Sequence, residues 1–536
     1  YDALTSNTSG NENTALGTLA LNTNTTGIEN TALGSRTLYS NDSGGYNTAL
    51  GYYALYDNTT GSGNTALGSR TLIKNTTGTL NTAMGTRALQ ENITGTENTA
   101  TGYYALRLNT TGEYNTASGS RSLYSNTTGD QNTALGYRSL YTNDKSNYNV
   151  ALGYGALESH TGGASGNTYN TAVGYKALNA SSVGGNNVAL GYQALYSNTS
   201  GHRNIAIGHN ALDDADAEHD NLAIGYYALG AAINGAEYNV AIGNKALEDN
   251  ISGDDHVAIG YEALKQNTTG YRGVAIGRGA LDANTEGHNN VGVGYLALSS
   301  NLTSGDNTAI GTEALSISTG ASNTAIGYKA GDANMTGLQN VVIGATADAS
   351  AANAINQIVI GFNADGKGNN KAVLGNNDIT DVYMAEDMGA TVHADGVKFY
   401  EDTDNGTHHV GFQSAAALGD SQVWTLPTAD GTNGQVLKTD GSGVLAWVNN
   451  SGVAGAIDDL SDGKKGGTNF TDSMILGHTT TGTLSNAAQN TAVGINAMDA
   501  ITTGDRNTAI GYDALTSNTS GNENTALGTL ALNTNT

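Results

Sequence analysis

Asn58, Asn75, Asn92, Asn109 and Asn126 recur at steps of 17 residues, each followed two positions later by Thr. Asn-x-Thr is the acceptor pattern for N-linked glycans, so one chemistry open to these residues is to carry a sugar at every step. A turn built from Asn, Thr and Gly produces the same triplet incidentally, and stacked Asn amides can bond to one another along a ladder. The regular spacing favours the ladder. A second series is aromatic. Tyr supplies 28 of the aromatic side chains, against four Phe and two Trp, and follows a glycine at Tyr52, Tyr103, Tyr137, Tyr154, Tyr175, Tyr192, Tyr226 and Tyr261. Rings in file can stack on sugar faces or cover the edge of the unit below them. The second role needs no ligand and is the simpler expectation. Evenly spaced Thr hydroxyls could imitate an ice lattice, but here many sit in turns beside neighbours of varying size, and ice binding is not expected.

Asp213-Asp214-Ala215-Asp216, Asp254-Asp255 and Glu401-Asp402-Thr403-Asp404-Asn405-Gly406 offer the oxygens that Ca²⁺ prefers. None has the EF-hand spacing or a Gly-Gly-x-Gly-x-Asp nonapeptide, so solvated charge is the expectation. His408-His409 stands without a His-Glu-x-x-His helix. No phosphate-binding loop, nucleophile elbow or paired-acid motif is visible. The expectation is a protein that is not an enzyme and holds no metal or cofactor.

What positions these series is a repeat. Asn47-Thr48-Ala49-Leu50-Gly51-Tyr52-Tyr53-Ala54-Leu55-Tyr56-Asp57-Asn58-Thr59-Thr60-Gly61-Ser62-Gly63 begins again at Asn64, and Gly17, Gly34, Gly51, Gly68, Gly85, Gly102, Gly119, Gly136 and Gly153 mark the period. Thr-Ala-Leu-Gly alternates large and small side chains with period two, the signature of a short strand. Asn-Thr-Thr-Gly is turn chemistry. Ala54-Leu55 and its equivalents suit a second strand or one helical turn, and the strand is preferred. The predicted structural ladder comprises Asn47, Leu50, Gly51, Leu55, Asn58, Gly61, Asn64, Leu67 and Gly68. The fold class is all-β, a parallel β-solenoid or β-roll of 17-residue coils, and 22 coils at ~4.8 Å would span roughly 105 Å.

Three regions follow: 1–375, a repeat array with slips near Gly162-Gly163-Ala164-Ser165, Gly243, Gly327 and Gly375; 376–472, a non-repeating β-rich insert holding Trp424, Pro427 and Trp447; and 473–536, where Gly477, Gly494, Gly511 and Gly528 restore the period. Residues 512–536 duplicate 1–25 letter for letter, a 511-residue super-repeat, which predicts one unit of a longer tandem array. The strand is apolar on both faces, and its small-residue face is expected to pack closely against something. A parallel homotrimer would provide that, a single wide solenoid being the competing explanation.

Composition narrows the partners. Twenty-two basic residues against 48 acidic ones give a net charge of −26, which disfavours nucleic acid and anionic membranes. Zero cysteines exclude disulfides and thiolate chemistry. No apolar run approaches the ~18 residues of a membrane span, so no membrane insertion is expected in this stretch. Any export signal would lie outside it.

Asn204-Ile205-Ala206-Ile207-Gly208 and Asn239-Val240-Ala241-Ile242-Gly243 resemble the head repeats of trimeric autotransporter adhesins, which implies a parallel β-roll of three chains abreast. The 17-residue period and the Tyr-x-Ala-Leu second half depart from that pattern. Trp424-Thr425-Leu426-Pro427-Thr428-Ala429-Asp430-Gly431 and Gly434-Gln435-Val436-Leu437-Lys438-Thr439-Asp440-Gly441 are similar to a segment of bacteriophage tail fibres. Both resemblances imply an extracellular, self-associating β fibre. The expected function is a stiff spacer in a cell-surface filament with a role in adhesion. The alternative is a phage tail fibre or trimeric adhesin that recognises host glycans.

Overall fold

The structure, a computed structural model, describes residues 1–382 apart from Ala164, Ser165, Ala232 and Asn334; 394, 396–400, 409–413, 426–449 apart from Gly443, 463–465 and 474–476 in the interruption; and 486–534. Trp424, the acidic run 401–406, His408 and Gly477 lie outside the described residues. The chain divides into two units, Tyr1–Tyr383 and Met384–Thr536.

In the first unit, 22 strands of three residues run from β1 (Thr14–Leu16) to β22 (Ala372–Leu374), each parallel to the next. Equivalent residues lie directly over one another: Thr48, Ala49 and Leu50 of β3 (Thr48–Leu50) face Thr65, Ala66 and Leu67 of β4 (Thr65–Leu67). Length changes are absorbed in the turns. Val150 still pairs with Thr171 across the insertion, and Leu222 with Val240, Thr308 with Thr324 and Ile358 with Ala372 across the other slips.

Each coil carries one strand, not two. Past Gly51 the chain turns with Tyr53 at φ 59° and Leu55 at φ 50°. A strand would send adjacent side chains to opposite faces, whereas left-handed φ at alternate residues lets both Ala54 and Leu55 point inward, fully buried. It also reverses the amides: Tyr53 N–H donates to Ser35 of the preceding coil (3.2 Å) and Leu55 N–H to Thr71 of the following one (3.0 Å). The expected second strand is therefore a left-handed turn, laddered to its neighbours like the strand.

This geometry relocates the core. Ala49 faces inward against the turn, and the interior of so narrow a coil takes a small residue at mid-strand, alanine in most coils and no larger than Val342 and Val359 toward the end of the array. Leu55 is buried, while Leu50, expected with it in the ladder, is 43% exposed on the outer face, and Leu67 is half-buried there. The small-residue face has its partner within its own coil, so it makes no demand for a second chain. It is the large aliphatic face that lies uncovered.

The second unit contains two antiparallel hairpins, β23 (Gly396–Tyr400) with β24 (His409–Gln413) and β25 (Gln435–Thr439) with β26 (Leu445–Asn449). Trp447 Nε1 donates to the Ala429 carbonyl at 2.9 Å, holding the Pro427 loop to the second hairpin. β27 (Gly463–Lys465) pairs antiparallel with β28 (Met474–Leu476), and parallel stacking continues from β28 through β29 (Thr491–Val493) and β30 (Thr508–Ile510) to β31 (Thr525–Leu527).

Candidate functional site

Two amide ladders line the interior. In the first, Asn64 N–H and Nδ2 both donate to Asn47 Oδ1, at 3.0 and 3.2 Å, and Asn47 does the same to Asn30. In the second, Asn75 Nδ2 donates to Asn58 Oδ1 at 2.8 Å, and Asn58 Nδ2 to Asn41 Oδ1 at 2.7 Å. The ladders meet, because Asn47 Nδ2 and Asn58 Nδ2 each donate to the Gly61 carbonyl at 2.9 Å. Both lone pairs of that buried oxygen are thus used. Gly61 fits closely, since a Cβ there would lie 2.4 Å from the Gly78 carbonyl, although coils with a locally different spacing accept Ser146 or Ala236 at the same place. Gly51, at φ 133°, would bring a Cβ within 2.5 Å of the Gly68 carbonyl oxygen, and a Cβ on Gly68, also at φ 133°, would lie 2.9 Å from the Gly85 carbonyl carbon.

Asn58, Asn75, Asn92, Asn109 and Asn126 are fully buried. A folded coil therefore cannot carry a glycan at any of these triplets, and the amides are spent on the ladder.

Where the ladder departs from Asn, its chemistry changes. His256 reproduces an Asn: its Nδ1 accepts from Gly273 N–H at 2.9 Å, which leaves Nε2–H to donate to the Gly270 carbonyl at 2.7 Å. Burial holds its pKa below the usual imidazole range. His160 stands where Asn143 would be followed by another Asn, and burial pushes it down to about 4. Its ring contacts Thr168 Oγ1 and Ser181 Oγ, at 3.1 and 3.3 Å, leaving Asn143 Oδ1 without a partner. Asn198 Oδ1 and Asn301 Oδ1 are unpartnered likewise, below Ala215 and Ser318.

The outer faces carry three stripes. Thr48 and its equivalents from Thr14 to Thr133 give way at Val150 to mostly Val, Ile or Leu, beside Leu, Ile or Val at the Leu50 position, so 150–360 presents a long apolar sheet face. Next to it Tyr137, Tyr154, Tyr175, Tyr192 and His209 stack at centroid distances of 5.3, 5.3, 5.2 and 4.7 Å. Each tyrosine covers its neighbour yet remains about two-fifths exposed. The third stripe escaped sequence reasoning. Six residues after the Asn47-type residue, successive coils read Arg36, Tyr53, Arg70, Arg87, Tyr104, Arg121 and Arg138. Aligning the coils by register, instead of summing charge, would have found it. Arg36 donates to the Tyr53 hydroxyl, which holds that phenol below its ordinary range.

The acidic clusters are occupied by the chain itself. Asp213 accepts from Asn210 Nδ2, Asp216 from Thr199 Oγ1, and Asp254 from Glu237 N–H at 2.8 Å. Burial and neighbouring Asp214 push Asp213 up to about 6. Among the described residues no group of three acidic or His side chains is placed to hold a metal, and no helix is long and apolar enough to cross a membrane.

The geometry defines a parallel β-solenoid of tandem coils. No protein-family model matches the chain, and comparison with curated proteins gives no match either.

Proposed function

We propose that this chain is a structural unit of a long extracellular surface filament, a stiff spacer that associates with copies of itself and takes part in adhesion. The observation that carries the reading is the unbroken parallel register of 22 strands with like residues stacked on like, reinforced by the duplication of 1–25 at 512–536. Stability in such an array grows by nearest-neighbour addition, which suits a spacer of arbitrary length. The 511-residue period extends the same logic to tandem units joined end to end.

The uncovered face supports lateral self-association. A second copy presents the same stripe at the same ~4.8 Å step, so every coil finds an equivalent neighbour. Covering the exposed two-fifths of one Leu or Ile yields roughly 2 kcal/mol per coil, and about 11 coils reach the ~800 Å² per partner of a stable interface. The stretch 150–360 holds 13 strands. Closed rotational symmetry, together with the resemblance to trimeric adhesin heads, makes a parallel homotrimer the proposed assembly. Ile259→Asp with Ile276→Asp is expected to convert it to monomer in sedimentation velocity while leaving coil amides protected; a wild-type monomer at all concentrations overturns the association.

The exposed tyrosine file favours a second reading, a receptor-binding fibre or adhesin that recognises host glycans. Antibody against 376–469, imaged by electron microscopy on source material, separates the two. Label at a fixed interval along cell-attached threads supports the filament; label at one distal point or on virion tails supports the receptor-binding fibre.

A further inference from the structure

Within 31–140 the chain has seven Lys and Arg against six Asp and Glu, so this stretch is locally neutral in a protein of net charge −26. Its cations are also concentrated on one face. Arg36, Arg70, Arg87, Arg121 and Arg138 share a single register position, separated alternately by two coils and one, with Tyr53 and Tyr104 filling the gaps. Arg107, three residues further round its coil, lies over Tyr104 and Tyr124 at 4.8 and 5.5 Å from their centroids. Arg36 lies 5.3 Å from Tyr53, Arg87 5.5 Å from Tyr104 and Arg138 4.5 Å from Tyr141. Among the described residues, only Arg138 of these six has a carboxylate within ion-pair distance, Glu158 at 2.8 Å. Arg36, Arg87 and Arg107 are held by hydroxyls, an amide and rings, which orient a guanidinium without neutralising it.

The same face further along behaves differently. Glu248 is paired by Lys245 at 3.2 Å and Lys265 at 3.7 Å, Glu262 by Lys265 at 3.4 Å, and Glu313 by Lys329 at 3.2 Å. There the chain supplies both signs. Within 31–140 the carboxylates lie off this face, Asp57 pairing with Lys74 at 3.1 Å, and the face itself carries Arg alone among charged residues, open to anions from outside the chain.

We propose that this Arg–Tyr ladder binds an extended acidic polysaccharide, whose carboxylate or sulfate groups pair with the guanidinium forks while its sugar rings lie on the tyrosine faces. Three features select that ligand. The stripe is single file, and its step of ~4.8 Å per coil is close to the length of one pyranose ring. The arginines fall every one or two coils, matching a polymer charged once per one or two sugars; a nucleic acid carries its charge far more densely and meets the repulsion of the rest of the chain. A second copy of the chain has its carboxylates on this face largely committed to its own lysines. Individually weak contacts along the ladder act together because they share one ligand.

The test uses the whole purified chain in biolayer interferometry with polygalacturonate and dextran sulfate as probes, dextran as the neutral counterpart and a single-stranded oligothymidylate as the nucleic acid. Binding to an acidic polysaccharide but not to dextran is expected, weakened at least tenfold by 0.5 M NaCl and at least tenfold by Arg70→Gln with Arg87→Gln and Arg121→Gln. The corresponding triple Lys variant retains part of the affinity, which separates lost charge from lost fold. Absence of binding to both acidic polysaccharides, binding unchanged in the Gln variant, or binding of the oligonucleotide alone overturns the proposal. So does salt-dependent self-association that the Gln variant abolishes without any glycan binding. Each of these leaves the spacer reading intact.

Discussion

Asn92→Ala removes one amide from the middle of a ladder whose bonds are all accounted for. Asn92 is fully buried; its Nδ2 donates to Asn75 Oδ1 at 2.8 Å and to the Gly95 carbonyl at 2.9 Å, and its Oδ1 accepts from Asn109 Nδ2 at 2.7 Å. The Gly95 carbonyl keeps a second donor, Asn81 Nδ2 at 2.9 Å, so it is not orphaned. Asn75 Oδ1 and one N–H of Asn109 are. Each stranded buried group costs about 1–3 kcal/mol, so the substitution is expected to cost about 3 kcal/mol. Because coils answer mainly to their neighbours, the loss should be local. Hydrogen exchange of the amides around Asn75, Asn92 and Asn109 is therefore expected to accelerate about 100-fold, the equivalent of about 3 kcal/mol, with distant coils unchanged. Thr94→Ala, at an exposed turn hydroxyl of the same coil, is the control and should change little. If Asn92→Ala and Thr94→Ala exchange within threefold of the parent, the ladder does not hold the coils together and the reasoning fails.

Gly102→Ala places a Cβ 2.6 Å from the Gly119 carbonyl at a residue with φ 133°, and should open the neighbouring coils to limited proteolysis at a cost of about 3 kcal/mol. Leu55→Ala is expected to destabilise its coil by about 2–5 kcal/mol, whereas Leu50→Ala in the same coil should cost under about 1 kcal/mol in the monomer; equal losses by hydrogen exchange would return Leu50 to the core. His160 sets a pH dependence. Its folded pKa of about 4 lies below the ordinary 6.5, so the stability of its neutral state is present above pH 6.5 and drains away as pH falls toward 4, by about 1.4 kcal/mol per unit. Asp213 and Asp348, both pushed up to about 6, act with the opposite sign: their contribution is lost as pH rises from 3.8 through 6. His160→Asn should remove the acid sensitivity around 143–181 and give Asn143 Oδ1 a donor, measured by exchange at pH 7.5 and 4.5.

The period, the strand and the Asn and Gly stacks were legible because each rests on a local rule: alternation in Thr48, Ala49 and Leu50, and turn chemistry at Asn58 to Gly61. Which face pointed inward was not. Large aliphatics ordinarily fill interiors, and nothing local says that a 17-residue coil is too narrow for Leu50 and must take Ala49 instead. Leu55 was misread as a strand residue because left-handed φ is rare for a branched side chain, and only the coil-to-coil bonding of its reversed amide makes that conformation worthwhile. The Arg–Tyr stripe was hidden by a net charge that averages over faces.

The inter-coil hydrogen bonds have a mechanical consequence. They lie along the stacking axis while the covalent chain runs around it, so tension along the axis loads hydrogen bonds and not the backbone. Coils would then peel one at a time from a loaded end, each releasing up to roughly 58 Å of extended chain in place of a ~4.8 Å step. Such an array is rigid at small loads and, beyond a threshold, lengthens more than tenfold per coil released. Because the released residues carry their own register in the Asn and Gly stacks, each coil can rewind onto the one still standing when the load is removed.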